Sequence, residues 1–274
     1  MMLRSRSRRC GVCVFVLVAG LLGAACFDRA AREYQRGLER WNEGRFTEAV
    51  ATLREITRRH PDSPYAPKAL FKVARIQIYD LRAFEAGEET LQLFTRLYPR
   101  DDLAEEAMEE LTVLLFSKRR DYRRAIHECR RFIETFPFSE RVPHMHRRIV
   151  ASHLQLGDFA RVRSEATIFL ERFPEHELRG RVAYDIVRAY FIEEENDAVV
   201  KETRRQLEKW PENDFRSRLW FIRASALEEL DRLEEALDAY EMARADHPEP
   251  ALIDARLETV AARLERKSSP QQQP

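Results

Sequence analysis

The chain has 274 residues with 47 basic and 47 acidic side chains, so its formal net charge at pH 7 is zero. That balance gives no electrostatic case for nucleic acid. Hydrophobic residues at 44% beside 34% charged ones suit amphipathic helices with solvated outer faces and argue against a disordered chain.

Arg4, Arg6, Arg8 and Arg9 precede an apolar run from Gly11 to Ala25. Such a run suits a secretory leader better than a membrane-spanning helix, which needs about 20 residues. Residues 1–25 therefore read as a signal peptide, and removing its four arginines leaves 43 basic against 47 acidic residues, a net of −4. Leu22-Gly23-Ala24-Ala25-Cys26 resembles a bacterial lipobox, with Gly23 where the pattern prefers Leu. The resemblance implies that Cys26 becomes the lipid-bearing first residue and residues 26–29 a lipid-anchored linker. Ordinary cleaved secretion and an uncleaved anchor are the alternatives. Phe27, not Asp, follows the cysteine. By the sorting rule of enteric lipoproteins this implies the outer membrane, facing the periplasm. Cys10 and Cys13 leave with the leader, and with Cys26 acylated Cys129 has no disulfide partner; it stands at a packing position.

From residue 30 onward the sequence repeats. Pro61, Pro99, Pro137, Pro174, Pro211 and Pro248 are separated by 38, 38, 37, 37 and 37 residues. A period in this range marks a repeat architecture, and each proline stops a helix because it lacks an N–H. The residue before each stop is aromatic: His60, Tyr98, Phe136, Phe173, Trp210 and His247. Fifteen residues before the stops stand Phe46, Phe84, Tyr122, Phe159, Asn196 and Leu233. Three further on come Ala49, Gly87, Ala125, Val162, Val199 and Ala236, a position where two helices approach too closely for a long side chain.

In chain order, repeat 1 pairs a first helix holding Tyr34, Leu38 and Trp41 with a second carrying Phe46, Ala49, Val50, Leu53 and Ile56, joined by a turn at Gly44. Ser63 reads as the N-cap of the next helix, with Pro64 at its first position. Repeats 2 and 3 follow the same plan, and Gly157-Asp158-Phe159 forms the turn of repeat 4. After Pro248, Pro250 opens a lone helix over 250–267 with Ile253, Leu257, Val260 and Leu264 on one stripe. It reads as the cap of a repeat array. Residues 268–274 read as a disordered polar tail.

The pattern resembles the tetratricopeptide repeat (TPR) family. The last unit matches best, with Trp220, Ala224, Leu227, Leu233, Ala236, Tyr240, Ala243 and Pro248 at the signature positions. The resemblance implies an all-α fold, a right-handed α-solenoid of six helix pairs over 30–249 with a C-terminal capping helix. These repeats exceed the usual 34 residues, and a longer turn after the proline accounts for the excess. Repeats 4 and 5 depart from the pattern at His146, Asn196, Thr203 and Gln206.

No catalytic constellation emerges. His144 and His146 lie two apart and face different sides of a helix, where a zinc site needs i and i+4. Glu193, Glu194 and Glu195 read as a solvated run at a repeat turn. Nothing predicts an enzyme, a cofactor, a metal or a small-molecule substrate. The family's binding face is formed by the first helix of each pair, which implies partner-binding positions at Tyr34, Trp41, Lys72, Tyr79, Arg147, Tyr184, Arg188 and Phe221. Aromatic and arginine side chains are typical interface anchors, although Trp41 and Phe221 suit interhelix packing equally well. The run Pro61-Asp62-Ser63-Pro64-Tyr65-Ala66, together with the lipobox, resembles BamD-like outer-membrane lipoproteins. That implies a protein-binding scaffold in β-barrel assembly. A periplasmic adaptor for the Tol–Pal system, peptidoglycan enzymes or pilus assembly is the alternative.

Overall fold

The computed structural model describes residues 29–268. The expected leader, the lipidation position Cys26 and the tail from 269 onward lie outside the described residues. The described residues contain thirteen α-helices: α1 (29–42), α2 (Phe46–Arg59), α3 (Tyr65–Arg75), α4 (Phe84–Leu97), α5 (Ala104–Leu114), α6 (Tyr122–Thr135), α7 (Val142–Gln155), α8 (Phe159–Arg172), α9 (Arg179–Ile192), α10 (Asn196–Lys209), α11 (Arg216–Glu229), α12 (Leu233–Arg244) and α13 (Pro250–Ser268). Odd-numbered helices up to α11 open each repeat and even-numbered ones close it. The capping helix therefore keeps Ser268, one residue more than the sequence suggests. The helices group into two compact units that meet at Asp121 and Tyr122, inside the third repeat.

The second helix of each of the first five repeats is closed by the same device, whereas α12 ends at Arg244, three residues before His247. The aromatic residue before the proline donates its backbone N–H to the carbonyl four residues back, as from His60 to Ile56 and from Phe173 to Phe169, both at 2.8 Å. Its ring then packs on that same residue wherever it is aromatic: Phe94–Tyr98, Phe132–Phe136 and Phe169–Phe173 lie 5.3 to 5.6 Å apart. Phe94, Phe132 and Phe169 are fully buried, and each such burial contributes about 1.5–3 kcal/mol. Ala49, Ala125, Val162, Val199 and Ala236 are also fully buried, which confirms the close approach read from their small size. At Gly87 even a Cβ would stand 2.5 Å from Ile78 Cγ1.

Two residues past the proline a side chain caps the next turn. Ser63, Asp101, Ser139, His176 and Asn213 each accept the backbone N–H of the residue two ahead, at 2.8 to 3.3 Å. α3 begins at Tyr65 with Pro64 in the N-cap position, so Ser63, expected as the N-cap, stands one residue outside the helix and holds the turn through the Tyr65 N–H instead.

The turn between the two helices of each repeat contains one left-handed residue at a fixed place: Gly44, Arg82, Arg120, Gly157, Glu194 and Asp231, with φ between 52° and 75°. Only two of the six are glycine. The sequence therefore revealed this position in repeats 1 and 4 alone.

The difference between 38- and 37-residue repeats has a local cause. α3 and α5 each run on into a π-helical segment, Ile76–Asp80 and Leu115–Arg119, where a wider turn absorbs one residue. Phe84 and Tyr122 accordingly begin their helices 23 positions after Pro61 and Pro99. Phe159, Asn196 and Leu233 begin theirs 22 positions after their prolines. This extra residue sits in the π segment, not in the turn after the proline.

Candidate protein-binding site

The opening helices of the repeats carry the positions expected to bind, and the structure sorts them into three groups. Tyr34 and Phe221 are packing residues. Tyr34 lies half-buried against Tyr65 at 5.5 Å, in the core built from Ala30, Leu53 and Ala69. Phe221 sits between Tyr240 at 5.8 Å and His247 at 5.1 Å.

In the first unit Trp41, Lys72 and Tyr79 are brought together around the π segment. The Trp41 indole N–H donates to Asp80 at 2.9 Å, and the Lys72 ammonium stands 3.0 Å from the centre of the Trp41 ring. Burial lowers the Lys72 pKa, since it disfavours the charged form. Tyr79 is half-exposed beside Arg75; burial, and after it the Glu110 carboxylate, push its hydroxyl up to about 12. Arg75 in turn pairs with Glu106 at 3.6 Å. Each cation in this cluster has an aromatic or acidic neighbour of its own.

In the second unit Arg147, Tyr184 and Arg188 surround a residue that the sequence did not single out, Asp185. Its carboxylate is 1% exposed and neither oxygen has a hydrogen-bond partner. Arg181 Nε lies 3.5 Å away and an Arg188 amino group 3.9 Å away, both too far for hydrogen bonds. Burial raises the Asp185 pKa, opposed by Arg181, Arg147 and Arg188. Burial likewise lowers Arg147, and Asp185 opposes the shift. Two guanidinium groups, Arg181 and Arg188, thus share one carboxylate, and the Arg147 charge acts on it from α7. Next to them Tyr184 and Phe215 stack at 5.3 Å and 29°, with Arg181 over both rings and Arg218 over Phe215.

The local sequence explains the arrangement. Arg181, Tyr184, Asp185 and Arg188 fall at i, i+3, i+4 and i+7, one face of α9. Arg147 stands on α7, from where its charge acts on Asp185, and Phe215 sits at the start of α11. α7 packs on α9 and α9 on α11, so one face of each comes together. Reading one or two positions per repeat missed Asp185, Arg181, Phe215 and Arg218, although the i, i+4, i+7 spacing of opposite charges on α9 was available in the sequence. Chemically, the cluster offers cationic donors in excess over acceptors beside an aromatic platform, which suits anionic groups on another chain.

The tetratricopeptide repeat family model matches residues 34–102 and 205–250. Comparison with curated proteins gives no match. Among solved structures, the apo form of RapI is similar at TM-score 0.59 and 12% identity, over 86% of this chain and 72% of that one. The C-terminal part of a TPR repeat-containing protein from Cytophaga hutchinsonii is similar at 0.55 and 15%, over 77% of each chain. PilW, a type IV pilus biogenesis factor, is similar at 0.50 and 12%, over 85% of this chain and 98% of that one. These likenesses concern the fold, and with the two matched stretches they identify an all-α, tetratricopeptide-like helical repeat protein.

Proposed function

We propose that this chain is a non-catalytic scaffold that binds partner proteins through the opening-helix faces of its repeats. The observation that carries this reading is the buried Asp185 carboxylate with Arg181 and Arg188 beside it and the Arg147 charge acting on it from α7. A fold has little to gain in stability from burying an unbonded carboxylate among guanidinium groups, whereas an interface gains oriented donors.

The narrower reading is an outer-membrane lipoprotein, anchored through acylated Cys26 and facing the periplasm, that serves β-barrel assembly in the manner of BamD-like proteins. Its support is the lipobox-like Leu22–Cys26 stretch and the run from Pro61 to Ala66. An adaptor in pilus assembly is the second reading, since PilW shares the fold over most of both chains.

Affinity purification from detergent-solubilised membranes separates these. Recovery of the barrel-inserting subunit is expected, lost when Arg147 and Arg188 are both changed to Glu with helicity unchanged. Recovery of pilus subunits or wall enzymes transfers the role to the second class. Capture undiminished in the double variant removes the arginine cluster from the interface.

A further inference from the structure

The residue after each repeat proline is charged in five repeats: Asp62, Arg100, Glu175, Glu212 and Glu249, all exposed. In the third repeat the same place holds Phe138, and it is 97% exposed. A loop position that is charged everywhere else has no packing reason to carry a phenyl ring. Phe138 is also the most exposed of the large apolar side chains among the described residues.

Beside it opens a cavity of about 690 Å³ between the start of α7 and the end of α8. Val142, Pro143 and Phe173 give it apolar walls. Its fixed charges are Arg141 and Arg172 against the single acid Glu140, while burial holds His176 below the ordinary imidazole range, toward its neutral form. His144 and His176 meet edge to face at 5.6 Å, and the His176 Nδ1 accepts the Leu178 N–H at 3.1 Å, which orients that ring. His144 precedes Arg147 by one turn of α7, so the cavity adjoins the Asp185 cluster along the same helix.

We propose that this cavity is a docking pocket for an apolar side chain on an acidic segment of a partner protein, with Phe138 closing over that side chain and Arg172 engaging a neighbouring carboxylate. The inference rests on the partner-binding reading above and adds the chemistry of the segment. Its volume is that of a pocket for a small group or a few side chains, open on one side to solvent. A membrane surface would call for apolar side chains that protrude without a pit behind them. The excess of basic lining selects an acidic sequence over a basic one. An exposed aromatic ring that becomes buried on docking, beside arginine neighbours, is the composition from which interface hot spots are built.

The test uses the purified protein and a short blocked peptide of glutamates with one central leucine, followed by fluorescence anisotropy at low ionic strength. The wild type should bind this peptide about tenfold or more tightly than the version with alanine for leucine, a difference of about 1.4 kcal/mol. Phe138→Glu, which restores the charged residue of the sister repeats on a fully exposed site, should erase that preference, and Phe138→Leu should keep it. Binding of the leucine peptide unchanged by Phe138→Glu overturns the proposal. So does equal binding of a lysine-for-glutamate peptide, or no binding by the wild type. Phe138-dependent binding to phosphatidylglycerol vesicles without peptide binding overturns it in favour of a lipid surface. If Phe138→Glu has no effect but the Arg147→Glu, Arg188→Glu double variant loses the peptide, the pocket fails and the scaffold reading stands. If neither changes binding, both fall.

Discussion

The two units place opening-helix side chains in opposite electrostatic situations, and Lys72 and Arg147, each twelve residues before the second helix of its repeat, are the equivalent pair. In the first, Trp41, Lys72 and Tyr79 engage Asp80, Arg75 and Glu110 within the same unit, and the indole and the cations each have a partner. In the second, Arg181 and Arg188 stand beside one buried carboxylate that lies beyond hydrogen-bonding distance of both. A cluster that satisfies itself contributes rigidity; a cluster with donors left over contributes recognition. Lys72 and Arg147 hold one repeat position, which lies against an indole ring in one unit and within the field of a buried carboxylate in the other.

The strongest way to break the comparison is to weaken one unit at a time. Phe94 and Phe169 are corresponding, fully buried residues in the two units. Phe94→Ala and Phe169→Ala should each cost about 3–5 kcal/mol by chemical denaturation. Hydrogen exchange should show the loss concentrated in 29–121 for the first and in 122–268 for the second. Equal loss of protection everywhere in both variants would mean that the division into units has no energetic content. Overpacking is the milder version. Ala49→Phe, and Gly87→Leu where Ile78 already fills the space, should each cost about 1–3 kcal/mol. A neutral result at Gly87 would show that the π segment carrying Ile78 yields easily.

The clusters also differ in the pH range where they act. Asp185 titrates above its ordinary 3.8 because of burial. As pH rises past that value, the unfolded chain ionises this carboxyl while the folded chain still holds its proton. The folded state then binds more protons, so stability falls with rising pH across the window. Asp185→Asn removes this term, and the stability of the wild type relative to the variant should decline as pH rises above 3.8 and level off once the folded carboxyl has also ionised. Tyr79 gives the same sign at the alkaline end. Its hydroxyl moves from 10.0 to about 12, so the wild type should lose stability relative to Tyr79→Phe over that interval. The variant comparison is needed because Tyr240 also rises to about 12. Denaturant titrations of the three proteins across pH decide both. A wild-type curve parallel to that of Asp185→Asn would remove the carboxyl from the balance.

The sequence made the repeat legible because prolines, pre-proline aromatics and small close-approach residues are each tied to one physical need, and each recurs at a fixed place. It revealed the capping helix through one apolar stripe, of which Ile253 and Val260 are fully buried. What it concealed depends on backbone or on neighbours. Arg82, Arg120, Glu194 and Asp231 take left-handed conformations that their side chains do not advertise, and nothing in Ile76–Asp80 announces a π turn apart from the one-residue change of period. Asp185 was passed over because its meaning comes from Arg147, a helix away in space and 38 positions away in sequence. Tyr34 and Phe221 were included because an aromatic residue on a repeat helix looks the same whether it packs or binds.

The left-handed turns give the smallest effect and the cleanest contrast within one architecture. Gly44 and Gly157 hold φ of 75° and 70° with nothing near a prospective Cβ, so Gly44→Ala and Gly157→Ala test backbone strain alone. Each should cost about 1 kcal/mol, the penalty an L residue meets in this region. Glu194 occupies the same position at φ 60° and already bears that strain. Glu194→Gly should therefore stabilise by a few tenths of a kcal/mol up to about 1, reduced by the greater freedom of glycine in the unfolded chain. The two changes must have opposite signs if the turn is one conformation repeated along the chain. A loss of stability in both would mean that Glu194 contributes contacts outweighing its strain, and that the repeated turn is alike in backbone but not in energy.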